Sequence, residues 1–391
     1  MNKHLLFTLL AGLVPLIALA QGPLPAPGAP GPTMKTLDQI DAKLEKRIPI
    51  DSTHTPGDDS NEFIIKTGGS YYLTDNLTTS KTGILVLSPG VTIDLSGFQI
   101  KSGTPTGDHG IIIYANDCTI KNGSISGFGT GLGTGIAAGF SVGKATNLIV
   151  SGCKFKGISV IGNWQITDCV AYHNGSDGIE AYSHSILTRC SAIANASANP
   201  SSFGIRAGFG CTLVDCLAGS NSTTNATPGP STGGGIAAGD GSTLRNCTAE
   251  GNAGDGIQAT SSCTLIGCTS TGNGTGTTGS GIATDIRAHI SGCTAIGNKG
   301  DGIVFSGDSF VLNNHASKNG GAGFHDIGGF SRIDGNVSRE NTGMGIQAGG
   351  NDTVVRNNSG ANGGVAYGPT AGANWGPVGT ANTATSPWAN F

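Results

Sequence analysis

Gly178-Ile179-Glu180-Ala181-Tyr182-Ser183-His184-Ser185-Ile186-Leu187-Thr188-Arg189-Cys190-Ser191-Ala192-Ile193-Ala194-Asn195 decides the fold. Ile179 and Ala181 are separated by the polar Glu180, as Cys190 and Ala192 are by Ser191, and period-two alternation over three to five residues is the mark of a short strand with one buried face. The same frame recurs along most of the chain. A Gly followed by an apolar residue stands at Gly83, Gly110, Gly135, Gly157, Gly178, Gly204, Gly235, Gly256, Gly281, Gly302, Gly323 and Gly345. Nine residues after the Gly comes Leu187, Leu213, Leu244, Leu265 or Ile290. Twelve after it come Cys169, Cys190, Cys216, Cys247, Cys268 and Cys293, then Asn314 and Asn357. Seventeen after it come Asn174, Asn195, Asn221, Asn252, Asn273, Asn298, Asn319 and Asn362.

A repeat of this length with three apolar points per period predicts a coil of three short strands, each coil stacked on the last at about 4.8 Å. Like residues then lie above one another. The apolar ones fill a lumen, and the Asn column ties turn to turn, Asn being tolerant of left-handed turn geometry. The expected fold is all-β, a single-stranded right-handed parallel β-helix of about 12 coils over residues 61–364, its hand following from the crossover rule. A leucine-rich solenoid needs a denser Leu consensus, and a membrane barrel needs ten-residue strands with aromatic girdles.

Composition agrees. The chain holds 67 glycines in 391 residues, with 12% charged and 6% aromatic residues, which suits tight turns and small inward side chains. The net charge of −4 argues against nucleic acid or an anionic membrane as partner, since both need a basic field.

The Gly-Ile…Leu-x-x-Cys-x-Ala-x-x-Asn repeat from Gly157 to about Asn362 resembles the right-handed parallel β-helix repeats of the pectate-lyase-like superfamily. The segments Gly69-Ser70-Tyr71-Tyr72-Leu73 and Val91-Thr92-Ile93-Asp94-Leu95-Ser96-Gly97-Phe98 resemble the first coils of secreted β-helix proteins, including the NosD-like group. The resemblance implies a fold rather than an activity, because this architecture carries lyases, hydrolases, epimerases, adhesins and tailspikes.

The chain opens as a secretory signal peptide would. Lys3 and His4 precede an apolar run from Leu5 to Leu19, and Ala18-Leu19-Ala20 offers the cleavage site, so residues 1–20 are expected to be removed and the product secreted or periplasmic, with a cell-surface position open. No membrane span is expected after cleavage. Residues 21–35 read as a Pro/Gly-rich linker. Thr36-Leu37-Asp38-Gln39 matches a capping box, and Leu37, Ile40 and Leu44 share helical spacing, so residues 36–60 are read as a short helix and a connector that cap the open end of the rod. A coiled-coil trimerisation stem is the alternative, which leaves the chain a monomer or a homotrimer. Residues 365–391 read as a loosely packed tail rich in Gly, Ala, Thr and Asn, with Trp388 and Phe391 placed to fold back on the last coil.

The ten cysteines are read as a lumen column rather than as a disulfide framework, with Cys153 joining the column across an insertion. Neither a metal nor another cofactor is expected.

Binding chemistry on a solenoid sits on insertions and outward strand positions. The insertions Gly103 to Asp108, Ala196 to Ser202, Ser222 to Gly234 and Gly274 to Thr278 precede Gly110, Gly204, Gly235 and Gly281, and the last three are expected to rim one groove. Two residues after each Gly the outward position reads Glu180, Arg206, Ala237, Gln258, Ala283, Val304, His325 and Gln347, with Tyr182 and Phe209 nearby. Glu180, Tyr182, Arg206, Gln258 and His325 are the candidate carbohydrate-binding residues: carboxylate, guanidinium and amide suit hydroxyls or uronates, and an aromatic ring suits a sugar face. The bland reading is a solvated face with a Glu180–Arg206 rung-to-rung ion pair.

If the groove is catalytic, Asp240 and Asp285 are the candidate carboxylate pair of a glycosidase, and Arg206 and Arg287 the candidate bases of a lyase. The sequence holds no Asn-Thr-Asp, Gly-His-Gly or Arg-Ile-Lys as in β-helix polygalacturonases, no Arg-x-Pro-x-x-Arg or Trp-x-Asp-His as in pectate lyases, and no Asp-Pro-His as in alginate epimerases. The sequence therefore favours a polysaccharide-binding or cell-surface recognition module. A lyase, epimerase or hydrolase of acidic glycans and a tailspike-like rod are the alternatives.

Overall fold

A coil survives only if every turn closes without crowding the coil above it, and the recurring Gly meets that demand. At Gly235 a Cβ would stand 2.5 Å from the Gly256 carbonyl oxygen and 2.6 Å from the Asn252 amide nitrogen. The computed structural model describes residues 47–103, 108–129, 132–195, 202–222, 234–276, 279–368, 372–380 and 385–391. The expected signal peptide and linker, and the expected helix up to residue 46, lie outside them.

Within residues 47–391 every strand-to-strand pairing in the two sheets is parallel and in register with the next coil. One sheet has 14 strands, from Asn61–Ile65 to Tyr367–Gly368, one per coil. The other has 26 strands and supplies the remaining two sides of each coil. Those two sides are joined where the nine-residue strands Cys118–Ser126 and Gly143–Ser151 pair along their whole length. Gly143–Ser151 then pairs separately with Trp164–Thr167 and Val170–Tyr172, and from there each coil carries two short strands on that sheet. The rod has 14 coils where the spacing of Gly residues predicts about 12. The extra coils lie at the ends, where Asn61–Ile65 lacks the Gly-apolar mark and Tyr367 replaces the usual Ile.

The lumen is built as the spacing predicts. Ile179, Ile205, Ile236, Ile257, Ile282 and Ile303 form one fully buried column and Leu187, Leu213, Leu244 and Leu265 another. The ten cysteines are free and buried. Six of them form the column at twelve, each thiol facing carbonyls, as in Cys190 to Ile166 O at 3.4 Å and Cys216 to Leu187 O at 3.5 Å. Burial pushes the Cys169 thiol up to about 12, so it stays protonated at neutral pH. Cys153 does not join this column. A register shift at Ala138/Phe140 adds a residue to its coil, so Leu148, which precedes Ile149, takes the cysteine slot. The Cys153 N–H instead donates to Asn174 Oδ1 at 3.0 Å, which starts the asparagine column.

That column is continuous from Asn174 to Asn362. Each Oδ1 accepts the backbone N–H and the amide N–H of the Asn before it, as Asn252 Oδ1 does from Asn221 N at 3.0 Å and Nδ2 at 2.9 Å. Each Nδ2 also donates to a carbonyl of an earlier coil, as Asn252 does to Ala218 O at 3.0 Å. The left-handed backbone falls on the residue before each Asn, at His173, Ala194, Ser220 and Gly251, and not on the Asn itself. The reason is direction: the Asn side chain must point inward to reach its neighbours, so the preceding residue takes the turn. A second asparagine column, Asn314, Asn336 and Asn357, continues the cysteine column and ends on Asn390, whose Oδ1 accepts Asn357 N at 2.9 Å. Residues near the C-terminus thus pack on the final coil, and Asn390 is fully buried.

Candidate functional site

Four consecutive strands of the 14-stranded sheet, Ile179–Ala181, Phe203–Ala207, Gly234–Ala238 and Ile257–Ala259, set Glu180, Arg206, Ala237 and Gln258 side by side. A groove of about 270 Å³ runs over them. Its floor is small: Ala207, Gly208, Ala237, Ala238 and Gly239 line it, with Tyr182 and Phe203 as apolar walls and Arg206, Gln258 and Thr260 as polar ones. Tyr182 is 41% exposed and Gln258 is exposed.

The charges in this groove pair differently from the expected rung-to-rung contact. Glu180 and Arg206 are register partners, yet each is hydrogen-bonded to other residues. Glu180 is buried, and its Oε2 accepts Lys156 Nζ at 2.5 Å and Ser159 Oγ at 2.7 Å while Oε1 accepts Tyr182 OH at 3.2 Å. Arg206 donates from Nε to Asp177 Oδ2 at 3.2 Å and from Nη2 to Oδ1 at 3.3 Å, and its guanidinium lies 4.8 Å from the Phe203 ring centroid. Burial raises Asp177 above the usual carboxylate range, and the Arg206 charge opposes that rise. Burial, then the Glu180 charge, also raises Tyr182, which keeps its hydroxyl a donor at neutral pH.

Asp177, Lys156, Ser159 and Phe203 were not among the expected site residues. Asp177 carries a readable signal. Asp-Gly-Ile occurs at Asp177, Asp255 and Asp301, and each carboxylate accepts a backbone N–H of the next coil: Phe203 at 2.6 Å, Ser280 at 2.7 Å and Ala322 at 2.5 Å. The second oxygen is then free to hold an outward side chain, as Asp177 holds Arg206 and as Asp301 holds His325 at 2.9 Å. No sequence period marks Lys156, which reaches Glu180 from the turn ahead of Gly157.

Of the expected binding residues, Glu180, Tyr182, Arg206 and Gln258 come together, and Glu180 does so as a buried brace. His325 lies on the same sheet three coils beyond Gln258, outside the groove. Asp240 and Asp285 sit on turns after their strands; Asp240 Oδ1 accepts Ser261 N at 3.1 Å, and neither lines the groove. Arg287 is on the turn after Asp285, with φ of 60°. Phe209 packs edge-on against His184 at 5.2 Å. Of the expected rims, Ala196 to Ser202, Ser222 to Gly234 and Gly274 to Thr278, residues 196–201, 223–233 and 277–278 lie outside the described residues. Among the described residues no His, Cys, Asp and Glu group is arranged to hold a metal, and no helix is long and apolar enough to cross a membrane.

A family model described as a right handed β-helix region matches residues 156–314. Among solved structures, a double mutant of the periplasmic alginate epimerase AlgG superposes with a TM-score of 0.54 at 12% identity, over 75% of this chain and 81% of that one. The chain folds as a right-handed parallel β-helix. This β-helix also matches the A-module of the mannuronan C-5 epimerase AlgE6 from Azotobacter vinelandii, with a TM-score of 0.45 at 16% identity over 78% and 91% of the two chains. For pectate lyase Pel9A the values are 0.40 and 13%, over 79% of both chains. No curated protein sequence matches it.

Proposed function

We propose that this β-helix is an exported polysaccharide-binding module that takes an acidic glycan in the groove over Arg206. One observation carries the reading: a floor of small Ala and Gly residues is flanked by the exposed Tyr182, the Arg206 guanidinium and the Gln258 amide. Small-residue floors let a ring approach the backbone, aromatic faces stack on its C–H side, and a guanidinium matches a carboxylate geometrically. Arg206 is 31% exposed and held in place by Asp177, so little side-chain freedom is lost when it binds.

Binding is favoured over catalysis by the state of the carboxylates. Glu180 is committed to Lys156, Ser159 and Tyr182, and Asp177 to Phe203 N and Arg206. Neither described carboxylate at the groove stands ready as a general acid or base.

The deciding experiment incubates the chain from Gln21 onward with acidic and neutral polysaccharides, following binding by calorimetry together with new reducing ends and unsaturated uronate absorbance. The expected result is saturable binding of a polyuronate without product, weakened about tenfold by Tyr182→Ala or Gln258→Ala. Formation of product would replace this reading with an enzymatic one, with unsaturation marking a lyase and reducing ends alone a hydrolase. Absence of binding to every glycan by a folded protein would point to a structural rod.

A further inference from the structure

A second cluster lies on the 26-stranded sheet near the C-terminal end of the rod. Arg332 and Arg356, on adjacent coils, converge on Asp334. Arg332 donates from Nε at 3.1 Å and Nη2 at 2.8 Å to Asp334 Oδ2, and Arg356 donates from Nε at 2.6 Å to Oδ1 and from Nη2 to Oδ2. The carboxylate is 5% exposed, whereas the two arginines are 41% and 51% exposed. Burial would raise Asp334, but the hydrogen bonds and charges of Arg356 and Arg332 outweigh it and hold the carboxyl below its ordinary value, so the acid is ionised.

One carboxylate neutralises one cation, and here two are present. The cluster keeps a net positive charge on a chain whose overall charge is −4. The fold also fixes its geometry. Asp334 orients both guanidinium planes, and Arg356 occupies a left-handed turn position with φ of 58°. Aromatic rings flank the pair on both sides. Phe310 is the register partner of Arg332 on the preceding coil, is 51% exposed, and stacks with His289 at 6.3 Å and 29° between planes. Trp388, 50% exposed, receives the Arg356 guanidinium 5.4 Å from its ring centroid.

A bare anion needs the guanidinium groups and nothing more. Half-exposed rings one rung away add a face for a flat, weakly polar body joined to the anion, and an acidic sugar has that form. The geometry points to a second carbohydrate site, on a different sheet from the groove, in which the carboxylate or sulfate of an acidic saccharide meets Arg332 and Arg356 and its ring lies on Phe310. This inference stands apart from the groove reading, because it shares no residue with it. With both sites occupied, one rod would hold two glycan segments and cross-link them.

The test uses the full mature chain with the groove silenced by Tyr182→Ala and Gln258→Ala, titrated with an oligogalacturonate, its methyl-esterified neutral counterpart and inorganic sulfate. The expected result is one equivalent of oligogalacturonate bound and none of the ester. Phe310→Ala should weaken binding about tenfold, and Arg332→Met/Asp334→Leu/Arg356→Met should abolish it. The triple change replaces the whole charged triad by apolar groups of similar size, which generally preserves folding, and Phe310 is exposed, so each variant's melting temperature serves as its folding control. If the triple or Phe310 variant, still folded, binds the oligosaccharide as its parent does, the site is refuted. If sulfate competes fully and Phe310→Ala changes nothing, the cluster is an adventitious anion site and the saccharide assignment fails. Identical binding by the groove-silenced and unmodified chains would refute the groove reading and leave this one standing.

Discussion

At the scale of single residues, the groove depends on one buried acid and the cation that answers it. Glu180 is 4% exposed at its side chain and Lys156 16%, and they meet at 2.5 Å. Removing one partner of such a pair strands the other charge, at a cost of about 3–5 kcal/mol, whereas removing both costs far less. Lys156→Met should therefore lower the denaturation midpoint sharply, and Lys156→Met with Glu180→Gln should recover most of the loss. Urea titration of the three proteins checks this, and a single variant as stable as the double would show that Glu180 is not held by charge. The outward register of Glu180, Arg206 and Gln258 was legible in the sequence, because a period of two fixes which face a residue takes. Their partners were not. Lys156 and Asp177 reach across coils from turn positions, and the repeat fixes backbone height but does not say which way a long side chain turns.

At the scale of the element, the asparagine column is what each coil adds to the next. Asn252 accepts from Asn221 N and Nδ2, and its own Nδ2 donates to Asn273 Oδ1 at 2.9 Å and Ala218 O at 3.0 Å. Asn252→Ala removes all four contacts: the buried Asn221 N–H is left without its acceptor, and the Asn221 amide, Asn273 Oδ1 and the Ala218 carbonyl each lose a bond, an unmet buried group costing about 1–3 kcal/mol. Asn362, the last of the column, is only partly buried, so water can answer what its loss exposes. Asn252→Ala should therefore destabilise by several kcal/mol by this reckoning and Asn362→Ala by about 1, as hydrogen exchange at the flanking coils would show. Equal losses at the two positions would mean that the ladder is not held by burial. The seventeen-residue offset made this column visible from sequence. It missed Asn336 and Asn341, because an extra residue near Phe330 shifts that coil, and it misassigned Cys153, because the bulge at Ala138/Phe140 shifts another. Bulges change the count without changing the contact, and a count is all that a repeat offers.

At the scale of the whole rod, every coil leans on its neighbours alone, so a strained pair anywhere sets the stability of the segment around it. One such pair is Asp326 with Asp352. Asp326 Oδ1 accepts Gly328 N at 2.7 Å and Gly329 N at 3.0 Å, and its Oδ2 is buried without a partner. Asp352 is fully buried and accepts Ser331 N and Gly349 N. Burial, together with the charge of Asp326, pushes Asp352 up to about 7 from an ordinary value of 3.8. The sign follows from proton counting. Between those two pH values the folded chain keeps a proton that the unfolded chain has lost, so stability falls as pH rises through this window and levels off above about 7. Below it both states are protonated and the pair is at its most stable. Asp326→Asn should reduce that slope without removing it, because burial is the larger cause of the rise. Its Oδ1 still accepts Gly328 N and Gly329 N, while its amide supplies the donor that the buried position lacks and removes the opposing charge. Melting curves at pH 4.5, 6 and 8 should show the variant gaining on the parent as pH rises. Parallel curves at all three values would mean that the Asp326 charge does not raise Asp352, and that the C-terminal coils are held against pH by contacts other than this pair.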